Sequence, residues 1–158
     1  MSLTTPLAFS SAITVSYWAA SVSTTFTAIY TSDEVAHGLF GTTREAVLAG
    51  QLAPMGRAVV DGDGYVISGS YRFASGSDQT THMLAGCLLV RDGEMVLRDN
   101  GMPEVVAAVI PNDHVEFKGN WDVMGLSGTA SVDYEVAPIL SMSEHETNNA
   151  IVWISGLR

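Results

Sequence analysis

Three patterns of apolar and polar positions follow one another along the chain. From residue 10 to residue 50 the spacing is helical. Ile13, Tyr17 and Ala20 share one face, and Val15, Trp18 and Val22 share another, which predicts a helix to about Tyr30 packed on both sides. Thr31-Ser32-Asp33-Glu34 supplies the hydroxyl and carboxylate groups that cap a helix start, so a short helix is expected through His37 to Phe40. Thr42-Thr43-Arg44-Glu45 opens a further turn, with Gly50 at its end.

From Leu52 to Val136 the pattern changes to short apolar runs separated by turn residues. The stretches 57–60, 65–70, 71–74, 82–91, 105–110, 114–118 and 131–136 read as strands. Asp61-Gly62-Asp63-Gly64 is a turn of the kind that closes a hairpin, and Ser68-Gly69 is expected to break the strand that follows. Strands at this spacing, with no helices between them, predict a mainly β fold: an antiparallel barrel or sandwich preceded by a short helical segment. The expected parts are a helical segment (1–50), the β-barrel (51–137) and a tail (138–158). The tail is polar over 141–149 and apolar over 151–157.

Composition narrows the function. Seven Lys and Arg against seventeen Asp and Glu give a net charge of -10. Phosphate binding relies on clustered cations, so nucleic acid and anionic membrane surfaces are poor partners. A cytoplasmic acidic protein is the expectation. No charged side chain precedes Asp33, yet fourteen of the first 32 residues are Ser or Thr, too polar a stretch for a bilayer span. The lone Cys87 stands between Ala85-Gly86 and Leu88-Leu89-Val90 and reads as a buried small hydrophobe. His37, His82, His114 and His145 are scattered, with no pair at metal-ligand spacing, so no metal is expected. Gly62-x-Gly64 lies between strands and opens no helix, unlike a dinucleotide fingerprint.

Two loops of small and hydroxyl residues remain. One is Ala74-Ser75-Gly76-Ser77, and the other is Gly125-Leu126-Ser127-Gly128-Thr129-Ala130-Ser131, preceded by Trp121. At strand ends such loops present backbone N–H groups and hydroxyls, which a flat, hydrogen-bonding cofactor needs.

The ordered set resembles the middle domain of the acyl-CoA dehydrogenase superfamily, and within it the flavin-dependent monooxygenase branch. The matching residues are 48–54 (Leu-Ala-Gly-Gln-Leu-Ala-Pro), 63–76 (Asp63 through Ser75-Gly76) and 121–131 (Trp121 through Ser131). The likeness covers roughly 46–137. It implies FAD or FMN as cofactor. Ser75 would bond near the flavin N5/O4 edge, Phe73, Ala74 and Gly76 would line the ring through their backbone, and Thr129 and Ser131 would close the same site. It also implies a small-molecule substrate and a flavin reductase as partner. Hydroxylation of an aromatic substrate with reduced flavin and O2 is the implied reaction of that branch. The family's catalytic base lies in a C-terminal helical bundle that this chain does not reach, so no catalytic residue is assigned. A fragment or split subunit is expected, either self-associating as a homo-oligomer or completed by a partner chain. An acyl-CoA dehydrogenase fragment and a non-catalytic β-barrel binding or assembly module are the alternatives left open by the sequence.

Overall fold

The computed structural model describes residues 14, 18, 20–25, 27–29, 31, 33–41, 46–119, 131–141 and 152–154. Eight strands are found among them: β1 (Leu48–Asp61), β2 (Gly64–Ala74), β3 (His82–Arg91), β4 (Glu94–Met95), β5 (Val105–Pro111), β6 (Glu116–Phe117), β7 (Val132–Ser141) and β8 (Val152–Ile154). They form one sheet in the order β6-β7-β2-β1-β3-β5-β8, with β4 paired to β3. The mainly β expectation holds, as does the helical segment before it. The sheet is mixed and open, however, because β1 and β3 run parallel. The residues between β2 and β3 carry the chain back to the starting edge through a single 3-10 turn at Ser77–Gln79.

Both faces of the sheet centre are covered. In β5, Val106, Ala108 and Ile110 join one cluster with Ile67, Tyr71, Met83, Cys87 and Tyr134, while Ala107 and Val109 join the other with Val35, Leu39, Leu48 and Leu84. That alternation follows from the two-residue period of a strand. It also explains why β3 and β5 read as continuous apolar runs. The second cluster is capped by the helix Asp33–Phe40, which begins where its cap signal predicts. Earlier helical residues lie against the sheet as well. Leu48 N–H donates to Thr24 Oγ1 (3.0 Å), and Thr27 is fully buried.

Several local expectations are corrected. The first helix packs on one side only among the described residues: Ala20 is buried, but Trp18 is 70% exposed and Val22 is exposed. Ile13, Val15 and Tyr17 lie outside the described residues. Leu48, Ala49 and Gly50 are strand rather than the end of a helical turn, because extended backbone there pairs with His82, Met83 and Leu84. Ser68-Gly69 does not break β2. Gly69 stays paired to both Gly56 and Val136, and the irregularity appears instead as a register shift against β7. On β7 that shift falls at Ala137-Pro138, a place where a strand tolerates proline. Hence β7 runs on to Ser141, beyond the Val136 end read from the sequence. The 114–118 strand shrinks to Glu116–Phe117, since Asn112–His114 forms a 3-10 turn. Within the apolar end of the tail, Val152–Ile154 adds an edge strand to β5.

Candidate functional site

The strand pair β1–β2 is regular at one end and opens at the other. From Asp61↔Gly64 to Gly56↔Gly69 every residue has its partner. Beyond that point both strands depart from the ladder. On β1, the register against β3 slips between Gln51 and Gly56, so Leu52–Met55 have no ladder partner. On β2, the register against β7 slips between Tyr71 and Ala74. Bulges of this kind free backbone groups and aim side chains out of the sheet, and they gather next to binding sites.

The β2 bulge and the loop that follows it hold most of the residues singled out from the sequence. Phe73 sits in the left-handed region at φ 60° and is 59% exposed. An aromatic residue adopts that conformation only where its surroundings impose it. Two contacts do so: Ser75 N–H donates to Phe73 O (2.8 Å), and Phe73 N–H donates to Asp133 Oδ1 (3.4 Å). Ala74 is fully buried and anchors the loop. Gly76, at φ 82°, starts the 3-10 turn Ser77–Gln79.

Ser75 and Ser131 come from different loops, yet their hydroxyls hydrogen-bond to each other. Ser131 is buried and Ser75 is half-buried. One hydroxyl donates to the other, which leaves a second proton able to donate outward. Nearby in the chain, Gln79 Oε1 is a buried acceptor with no donor among the described residues. Thr129, the remaining sequence candidate, lies outside the described residues. Loop by loop, then, Phe73, Ala74, Ser75, Gly76 and Ser131 are brought together, and Thr129 is not described.

Sequence reading missed the β1 side of the opening. A cleft of about 360 Å³ lies between Val22-Ser23 and the segment Gly50–Ala53, with Leu84 in its lining. It also missed Gly86 on β3, where a Cβ would collide with the carbonyl oxygens of Leu52 and Ala53. The available signal was glycine inside strands, at Gly50, Gly56, Gly69 and Gly86, which marks bulges and close backbone approach. A larger groove of about 520 Å³ runs along Asp113–Glu116 and Glu135–Ile139. Its charges are engaged with one another: Lys118 Nζ bridges Glu116 (2.8 Å) and Glu135 (2.7 Å), and these two carboxylates raise the Lys118 pKa. No group of three or more His, Cys, Asp or Glu suited to a metal is found among the described residues. No described helix is long and apolar enough to cross a membrane.

The chain is 33% identical over 93 residues to the flavin-dependent monooxygenase oxygenase subunit HsaA of Mycobacterium tuberculosis. That match covers 59% of this chain and 22% of HsaA. Indole-3-acetate monooxygenase of Acinetobacter baumannii is 29% identical over 108 residues, covering 68% of this chain and 26% of that protein. The crystal structure of HsaA from M. tuberculosis superposes with a TM-score of 0.63 at 27% identity, covering 75% of this chain and 28% of HsaA.

This chain is related to the oxygenase components of flavin-dependent monooxygenases over part of their length. The resemblance read from its motifs, to that branch of the acyl-CoA dehydrogenase superfamily, is thereby borne out. The chain spans about a quarter of the curated relatives it matches. No family model matches it.

Proposed function

We propose that this chain is the flavin-binding middle part of an oxygenase component that hydroxylates an aromatic substrate with reduced flavin and O2. The observation that carries the reading is the fold shared with HsaA at 27% identity. The open end of the β1–β2 pair supports it. A flavin ring gains electron density on reduction, and fixed donors at its edge stabilise that density. The Ser75–Ser131 hydroxyl pair has one such proton to give, and Gln79 offers an acceptor. When bound, flavin supplies the electron transfer and the oxygen activation.

The chain's own residues hold and orient the ring. Ser75 donates at its edge, and Ser131 fixes the Ser75 rotamer. By their place in the motif, Phe73, Ala74 and Gly76 line the ring from the segment that carries Ser75, which turns through left-handed backbone at Phe73 and Gly76. Thr129 belongs to the same set by its place in the motif. In this reading the sheet from Leu48 onward is the flavin-binding unit, and the helical residues before it are the end of a helical unit. In the same reading a helical bundle completes the site. A flavin reductase delivers the reduced cofactor.

The test is thermal melting of the chain with FAD and with FMN, each oxidised and dithionite-reduced, for wild type and Ser75→Ala. Flavin at 100 times its dissociation constant should add about 2.7 kcal/mol of stability. Ser75→Ala should lose most of that gain, beyond the cost of about 1 kcal/mol that leaving Ser131 without its partner takes from the flavin-free protein. If no flavin in either redox state shifts the wild-type transition, the reading is wrong for this chain.

A further inference from the structure

The two bulges that frame the site meet at one buried pair of side chains. Tyr71 on β2 and Tyr134 on β7 are register partners, and they are the last regular pair before the β2–β7 slip. Their rings stack with centroids 4.8 Å apart and an angle of 13° between planes. Both residues are fully buried. A tyrosine in an apolar core needs a partner for its hydroxyl, and each phenol here spends that need on the backbone around the β1 bulge.

Tyr134 holds the Gln51 side. Its hydroxyl donates to Leu84 O (2.5 Å) and accepts from Gln51 N–H (3.3 Å). Tyr71 holds the Gly56 side. Its hydroxyl donates to Gly86 O (3.2 Å), lies 3.2 Å from Cys87 Sγ, and occupies the space a Cβ on Gly56 would need. Between them, the carbonyls of Leu52 and Ala53 rest on Gly86. The same two strands then lead directly into the hydroxyl pair: Tyr71 into Ser75 along β2, and Tyr134 back to Ser131 along β7.

The geometry points to Tyr71 and Tyr134 as positioning residues that set the shape of the Gln51–Gly56 bulge, and with it the mouth that receives the flavin. The inference rests on the flavin reading above. Neither phenol touches the ligand. They act through the backbone that does.

The test uses the full chain and removes only the hydroxyls, as Tyr71→Phe and Tyr134→Phe, which keep the ring stack. Ile110→Val, a change in the same buried cluster that removes no hydroxyl, serves as the stability control. Amide hydrogen exchange and flavin affinity, from quenching of flavin fluorescence, are measured on all four proteins. Tyr134→Phe should speed exchange around Gln51 and Leu52 by about tenfold, the factor that loss of a buried hydrogen bond allows. Tyr71→Phe, which frees Gly86 O and opens space beside Gly56, should speed exchange near Gly56 by a smaller factor. Both should weaken flavin binding several-fold, and Ile110→Val should do neither. Exchange in 50–56 no faster than in the Ile110→Val control overturns the role. So does faster exchange with unchanged flavin affinity. A wild-type chain that takes up no flavin removes the flavin reading alone, and the exchange comparison still decides whether the phenols hold the bulge.

Discussion

The two ends of the β1–β2 pair are built from similar residues and behave differently. At the closed end, Asp61↔Gly64 shuts a tight turn, and the paired residues alternate between core and solvent. Gly62 takes φ 58° with nothing within 4 Å of where its Cβ would be. At the open end, glycines are crowded by backbone and by a phenol. There Leu52–Met55 leave the ladder and Phe73 is forced into the left-handed region. Turn chemistry satisfies the closed end locally. Packing imposes the open end from strands distant in sequence. The strain and unpaired backbone of the candidate site are therefore found where the sheet overrules local preference.

The sharpest way to break that comparison is a methyl group at each end. Gly86→Ala drives a Cβ into two carbonyl oxygens that cannot swing aside, since they belong to the backbone. It should lower unfolding free energy by about 3 kcal/mol, the upper range for overpacking. Denaturant titration reads it, and a loss no larger than that of the turn variant below would mean the bulge is loosely held.

A second effect, about as large, sharpens the boundary between the two ends, where Cys87 touches Tyr71. Burial pushes the Cys87 thiol up to about 11, with the Tyr71 hydrogen bond opposing, and burial also raises both phenols. In the unfolded chain the thiol ionises near its ordinary value of 9.0. The neutral form is the one the folded core accepts, so stability is complete below that value and declines as pH climbs toward 11. The thiol's share of that decline is about 2 to 3 kcal/mol. Melting temperature followed into the alkaline range should fall less steeply in Cys87→Ala than in wild type, before the phenols take over. Parallel curves would remove the thiol from the account.

The smallest effect belongs to the closed end. Gly62→Ala meets no neighbour but must hold a left-handed backbone, at a cost of about 1 kcal/mol. A drop matching that of Gly86→Ala would erase the distinction between the two ends.

Much of this was legible in the residue order. The hairpin at Asp61–Gly64, the helix Asp33–Phe40, the β3 run and the burial of Cys87 all follow from local pattern. The pairing of the Ser75 and Ser131 loops was legible only through the motif resemblance. No local signal tells that two hydroxyls from distant turns will touch. The strand through Gly69 and Pro138 was misread because both residues look like breaks. Each is accommodated by a register shift that exists only when neighbouring strands are in place.

By itself, the sequence determined the periodicities, the turn chemistry, the acidic balance and the motif set that marks the oxygenase relatives. These are properties of short stretches, where each residue's preference acts on its own backbone. Only the tertiary structure decided that β1 would run parallel to β3, that two buried phenols would sit at the ends of one bulge, and that Phe73 would be held at positive φ. Those outcomes depend on contacts between residues far apart along the chain. Their hydrogen bonds and packing outweigh local preference only once the whole sheet has formed.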